Sequence, residues 1–298
     1  MDDHRKLGRE LGLFDTDPLI GAGLPFWLPA GAAVRHALEE YLRELERRAG
    51  YSHVYSPVLG KRELYEISGH WSHYRDGMYP PMELGPMESS REEVVLRPSL
   101  CPHHALLYRS RGRSYRELPL RLAELGGQYR TELSGVLGGL TRVRAMQLND
   151  AHIFCTPDQA AAEARAALAM IRQAYAALGV EPARYRLSLP GPARPGTNSK
   201  YVGDPRIWDQ AAAMLAGILD DSGLPWEAVR ARRRSTGRRS TCRWPTPPSG
   251  RRPCPPSRST STSRTGSACS TPARTGPGTA RSWCTAASSA AWSGRSRT

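Results

Sequence analysis

Past Val229 the chain contains no Leu, Ile, Val, Phe, Tyr or Met, and it holds no Asp, Glu or Lys either, over its last 69 residues. A segment built only from Arg, Ala, Ser, Thr, Gly, Pro, Cys and Trp cannot bury enough apolar surface to offset the entropy of ordering it. Residues 231–298 are therefore expected to be an Arg/Ser/Pro-rich disordered tail. The same asymmetry disposes of the chain's apparent basicity. Of 42 Lys and Arg, 15 Arg lie from Arg230 onward, which leaves 27 against all 28 Asp and Glu in the part before it. The formal charge of +14 thus belongs to the tail, and the first 229 residues are close to neutral. Their charge selects no polyanionic partner.

Cysteine is equally scarce where a fold is expected. Only Cys101 and Cys155 precede the tail, whereas Cys242, Cys254, Cys269 and Cys284 lie within it. Two cysteines make no disulfide framework and suit a reducing compartment. The N-terminus MDDHRKLGRE is too charged for a signal peptide. No apolar run approaches the roughly 18 residues a membrane span needs. A soluble, cytoplasmic chain with no membrane partner is expected.

Two readings of the tail compete, a genuine basic arm and translation in a shifted frame. Four Cys and three Trp are unusual in a basic arm. Synonymous codons exist for ARRRSTGRRST that read EAAFYGPKID two bases along. SWCTAASSAAWSG, more than 40 residues later, reads MVHRGVVSSMER at the same offset. One offset recovers two stretches with the composition of folded protein, which favours a frameshift after about residue 230.

The remainder alternates helical and extended patterns. GAAVRHALEEYLRELERRAG places Val34, Leu38, Tyr41, Leu42 and Leu45 on one helical face and ends at Gly50. SHVYSPVL reads as a short strand broken by Pro57. EEVVLRP and LPLRLAELGGQYR read as strands, and LTRVRAMQLNDAHIFC as a long half-buried one. TPDQAAAEARAALAMIRQAYAALG reads as a helix with Thr156 as N-cap, Pro157 first and Gly179 as the stop. ARYRLSL adds a strand and PRIWDQAAAMLAGILDDSG a helix. Strands joined by long excursions, without regular βαβ alternation, indicate an α+β fold.

DHRKLGRELGLF, ISGHW, LRPSLCPHH and LPLRLAELGGQYRTELSGVLGGLTRVRAMQLNDAHIFC, in this order and spacing, resemble the catalytic domain of the threonyl-tRNA synthetases, which are class II aminoacyl-tRNA synthetases. The resemblance runs from Asp3 to Val229, and the shifted tail would continue it. It implies the class II core, an antiparallel sheet flanked by helices. The helix from Val34 and the strand ending at Pro57 would form motif 1, the dimer-building element. Leu118–Cys155 would form motif 2.

The activity implied is ATP-dependent activation of threonine, with Mg2+ accompanying ATP, followed by transfer to tRNA. Such activation needs no protein nucleophile; it needs two anions oriented and developing charge neutralised. A guanidinium, which binds two oxygens at once, suits both tasks. By resemblance Arg130 holds the α-phosphate, Glu132 reads the adenine amino group, Arg142 takes the distal phosphates and Met146 covers the base. Without that resemblance these are ordinary solvated charges on a hairpin. Cys101 and His152 would otherwise be a buried thiol and a core histidine; the resemblance makes them zinc ligands. Zinc with an open position can take the threonine hydroxyl, which an apolar pocket cannot tell from the methyl of valine. Asp150, two residues before His152 on the same strand face, would accept from that hydroxyl.

The third zinc ligand of the family is a His in the stretch recovered as MVHRGVV, and the chain holds SWCTAAS there. The motif 3 arginine falls in the same lost region. Other departures are in frame. His103 stands before His104 where the family has Gly. Met146 replaces an aromatic, Leu148 a Gln, Asn149 an Asp, and Gly138 a His. The resemblance also leads us to expect neither an editing region before the chain nor an anticodon-binding domain after it, hence weak tRNA recognition. Three functions follow: a threonine–tRNA ligase core, a diverged non-translational paralogue, and a non-enzymatic pseudo-synthetase with a basic tail.

Overall fold

The computed structural model describes residues 3–84, 92–189 and 205–230. The tail at 231–298 lies outside the described residues.

The chain opens with α1 (His4–Glu10), capped by the Asp3 carboxylate, which accepts from Arg5 N at 3.0 Å. A two-strand ribbon follows, β1 (Phe14–Asp15) antiparallel to β2 (Phe26–Trp27). Then comes α2 (Pro29–Arg48), which takes Pro in its first turn, where no N–H is missed, and stops at Gly50 with φ +79°. The 31–50 helix is thus found, but only part of its apolar face is used. Leu45 is buried and Tyr41 and Leu42 are half-buried, whereas Val34 is 55% and Leu38 41% exposed. The C-terminal half lies against the sheet and α6; in the N-terminal half Gly31 is buried, but no described residue buries Val34 or Leu38.

SHVYSPVL forms two strands rather than one. Pro57 removes a ladder donor and separates β3 (Ser52–His53) from β4 (Leu59–Lys61), which join different sheets. After α3 (Arg62–Ile67) and α4 (His70–Tyr74) come β5 (Met82–Glu83) and β6 (Glu93–Leu96). β6 is the centre of an antiparallel β4–β6–β5 sheet. Next, α5 (Cys101–Arg109) leads to the principal ladder, β7 (Leu120–Tyr129) antiparallel to β8 (Ala145–Phe154) over ten residue pairs. β3 joins this sheet on the far side of β7 and runs parallel to it. Among the described residues β8 is its other edge.

The long strand expected over 140–155 begins only at Ala145, because Gly138–Thr141 close a turn ahead of it. α6 (Ala160–Ala177) likewise starts later than its Thr156 cap predicted. The Gln159 side chain reaches back to the Thr156 N–H at 3.0 Å and to Leu118 O at 3.1 Å, so residues 156–159 form a turn and Gln159 takes the cap position. Gly179, with φ +63°, ends the helix as expected. β9 (Tyr185–Leu189), α7 (Pro205–Asp221) and β10 (Trp226–Arg230) complete the described chain, β10 pairing parallel with β9. The sheet system is therefore mixed, an antiparallel main ladder with two parallel pairings.

Two of the three apolar clusters among the described residues hold the main sheet and the helices after it. Ala151, Ile153 and Ala123 of the main sheet pack with Tyr51 and Ala167. Leu168, Tyr185, Leu187, Ile218 and Leu219 join α6, β9 and α7. No described helix is long and apolar enough to cross a membrane.

Candidate active site

Directly opposed residues of an antiparallel pair share a face. The register Leu122↔His152, Glu124↔Asp150, Gly126↔Leu148 and Gln128↔Met146 therefore puts all eight on one side of the main ladder. Asn149, Ala151 and Ile153 point to the other side, into the helices. Strand alternation thus puts Asp150 and His152 on one face, as the sequence suggested, and adds Met146 and Leu148 to the same row.

α5 covers the His152 end of this face. Its His104 ring meets the His152 ring edge-on at 4.6 Å, and Tyr108 stacks on Phe154 at 4.3 Å. Arg97 and Leu100 cover the middle. A Cβ at residue 126 would lie 2.8 Å from Leu100 Cδ2 and 2.9 Å from Arg97 Nη2, so only glycine admits this approach.

Beneath them lies a buried polar network that the sequence reading missed. Arg97 is 1% exposed. Its Nη2 donates to Glu124 Oε1 at 2.9 Å, its Nη1 to Ser56 Oγ at 2.6 Å and its Nε to Gly127 O at 2.6 Å. Ser56 Oγ donates to Glu124 Oε2 at 2.6 Å, and His104 Nε2 lies 3.2 Å from the same oxygen. Burial pushes the Glu124 carboxyl up, but the His104 and Ser56 hydrogen bonds and the Arg97 charge outweigh it and hold it at about 2. The network stays ionised and anchors the floor of the face. Its signal was present in the sequence: Glu124 shares strand parity with Gly126 and Gln128, an acid placed on an inward-facing row.

His152 is 2% exposed, and neither ring nitrogen has a hydrogen-bond partner. Burial lowers its pKa to about 4, so the ring is neutral and keeps a lone pair, as metal ligation requires. Cys101 opens α5 with an intermediate exposure and forms no disulfide among the described residues. Among the described residues no group of three or more His, Cys, Asp or Glu is arranged to hold a metal ion. The chemistry of these two donors fits zinc, but a complete site needs a further ligand.

At the other end of the face, Arg130 leaves β7 and donates Nε and Nη2 to Pro98 O at 3.1 and 3.0 Å, and Nη2 to Gln128 Oε1 at 3.2 Å. His70 bridges two hydroxyls nearby, Ser68 Oγ at Nδ1 and Ser99 Oγ at Nε2, each at 3.0 Å. Desolvation and the positive charges of Arg130 and His73 bring it down to about 4, so it is a neutral bridge. Glu132 and Arg142, read separately from the sequence, are paired: Arg142 Nε and Nη2 donate to Glu132 Oε2 at 2.9 and 2.7 Å. Asp150 is 4% exposed.

The model of the class II tRNA synthetase core domain (G, H, P, S and T) matches residues 86–213. Threonine–tRNA ligase of Geobacillus kaustophilus is 49% identical over 224 residues, 75% of this chain and 33% of that protein. The chain belongs to the threonyl-tRNA synthetase family. The enzyme of Staphylococcus carnosus is 48% identical over 225 residues, 76% of this chain and 34% of its own length. The chain spans about a third of the length of the curated relatives it matches. A crystal structure described as the RNA binding domain of threonyl-tRNA synthetase from Cryptosporidium parvum is 35% identical, with a TM-score of 0.69 over 77% of this chain and 54% of that one. Family membership and the class II core are thus settled on the described residues.

Proposed function

We propose that the face carried by β7 and β8 activates threonine with ATP and Mg2+ and prepares it for transfer to tRNA. The observation that carries this reading is the row Met146, Leu148, Asp150 and His152 opposite Glu124, Gly126 and Gln128, with Arg130 at its end. A threonine carboxylate oxygen forms a bond to the α-phosphorus of ATP while the bond to the bridging oxygen breaks, and pyrophosphate leaves. Arg130 orients and neutralises the α-phosphate. Arg142 leaves Glu132 to take the distal phosphates, freeing Glu132 for the adenine amino group, and Met146 covers the base. Asp150 accepts from the threonine hydroxyl, and Leu148 lines the pocket. Cys101 and His152 would hold zinc, whose chemistry there is to bind the amino and hydroxyl groups of the substrate.

The 48–49% identity to threonine–tRNA ligases supports this reading over a diverged paralogue or a pseudo-synthetase. The exposed Val34 and Leu38 on α2 support a homodimer built on that helix. We further propose that residues 231–298 are out-of-frame translation. β8 standing at the sheet edge among the described residues is consistent with strands encoded in the other frame.

Threonine-dependent exchange of pyrophosphate into ATP tests both proposals. The 298-residue chain should show none, a chain with the frame restored after Val229 should exchange, and Arg130→Ala in that background should abolish it. Activity of the unrepaired chain would overturn the frameshift. A folded, repaired chain that stays silent with threonine would overturn the substrate assignment and point to Leu148 and Met146.

A further inference from the structure

The stretch DHRKLGRELGLF takes no part in the chemistry above, yet its first helix touches the turn that joins β7 to β8. This turn, Gly138–Thr141, is closed by Thr141 N donating to Gly138 O at 2.9 Å and Gly138 N donating to Arg142 O at 3.2 Å. At its tip the Leu140 N–H donates to His4 Nε2 at 3.2 Å, across 136 positions of sequence.

Several features fix the His4 ring for this bond. Accepting at Nε2 requires a lone pair there, so the proton resides on Nδ1, and the Asp3 carboxylate lies 3.5 Å from Nδ1. The ring stacks on Phe14 with centroids 6.3 Å apart and planes 21° apart, and Phe14 is itself buried. The turn is shaped to receive it. Gly139 has φ +55°, and a Cβ there would lie 2.2 Å from His4 Nε2 and 2.8 Å from Arg5 Cγ. The same N-terminal region holds the return of the turn as well: Arg144 N donates to Gly23 O at 2.8 Å and Arg144 Nη1 to Ala22 O at 3.2 Å. Residues 4–23 therefore grip the turn at tip and base, and Arg142 lies between the two grips.

We propose that His4 is a positioning residue: through Leu140 it holds the β7–β8 turn so that Arg142 and Glu132 are in place before nucleotide arrives. The nucleotide part of this rests on the reading that the turn meets ATP. Pre-ordering the turn removes an ordering penalty from binding, so its loss should appear in affinity.

Hydrogen exchange of the full 298-residue chain without nucleotide, read over residues 133–144, decides the grip. His4→Ala should speed exchange at Leu140 about fivefold, the effect of one lost hydrogen bond. His4→Phe, which keeps the stack on Phe14 but has no acceptor, should do the same. His4→Gln, whose carbonyl oxygen stands near the place of Nε2, should retain protection. An unchanged Leu140 in His4→Ala, or full protection in His4→Phe, overturns the proposal. Equal acceleration throughout α1, β1 and β7 also overturns it, since His4 would then only support the fold. ATP titration supplies the second reading. Affinity should fall about fivefold in His4→Ala and His4→Phe and recover in His4→Gln. Faster exchange with unchanged affinity overturns the positioning role. If the unaltered chain binds no ATP, the ATP reading of the site fails, while the exchange data still decide whether His4 holds the turn.

Discussion

Asn149, on the helix-facing side of β8, donates Nδ2 to Glu46 Oε1 of α2 at 2.8 Å. Glu46 is 4% exposed, and His53 Nε2 approaches its other oxygen to 3.2 Å without hydrogen-bond alignment. Burial pushes the Glu46 carboxyl up to about 7, against the pull of the Asn149 bond and the Arg43 charge. Burial lowers the His53 pKa, aided by the Arg43 charge. Burial thus disfavours the charge on both groups, and the Asn149 bond ties the back of β8 to the helix that resembles motif 1.

The sign of the resulting pH dependence follows. Glu46 binds its proton more tightly folded than unfolded, so its stabilisation is complete below about 4.5, the ordinary glutamate value, and is lost as pH rises through about 7. Glu46→Gln keeps an acceptor for Asn149 and removes the titration. Urea unfolding at pH 5 and pH 8 should show the variant gaining up to about 3 kcal/mol on the unaltered chain between the two. An equal pH dependence in both proteins would contradict it. Glu124, held at about 2, loses its contribution only as pH falls below 4.5, outside this window.

Gly126→Ala should destabilise by about 1–3 kcal/mol, because the new methyl meets Leu100 and Arg97 inside 3 Å. A urea midpoint equal to that of the unaltered chain would show that α5 gives way freely.

Removing one member of the Arg97–Glu124 pair should be far more damaging than removing both. Arg97→Met leaves a buried carboxylate with its principal cation gone, and a loss of about 3–5 kcal/mol is expected. Arg97→Met with Glu124→Gln should recover part of that loss in a double-mutant cycle of unfolding free energies. Additive single effects would contradict a coupled pair.

Zinc bound by the 298-residue chain should stay well below one ion per chain by elemental analysis, and Cys101→Ser or His152→Ala should remove what is bound. One tightly held zinc per chain would require a third ligand beyond Cys101 and His152.

The sequence made the β7–β8 hairpin legible because alternation states which residues share a face: Asp150 and His152 follow from counting by two. Helix stops at Gly50 and Gly179 were legible for a similarly local reason, since a positive φ favours glycine. What could not be read was how elements meet. Val34 and Leu38 have the right period for a core but lie where none of the described residues packs. Pro57 announces a break, yet says nothing of which sheet each half joins. The Arg97–Glu124–His104 network joins β7, α5 and the segment between β6 and α5, and the Glu132–Arg142 pair forms across a turn of unforeseeable shape. Thr156 does not cap α6 because residues 156–159 close a turn, in which the Gln159 side chain accepts from the Thr156 N–H, and the helix begins only at Ala160.

The parallel pairing of β3 with β7 has a consequence for synthesis on the ribosome. Ser52 aligns with Leu122, seventy positions later, and β8 is made later still. At about 5–20 residues per second, α2 and β3 wait several seconds for their neighbours. During that interval Glu46 faces water and carries its charge. Burial beneath the docking β8 raises its carboxyl to about 7, so near pH 7 the nascent core takes up about half a proton from solution as that strand docks.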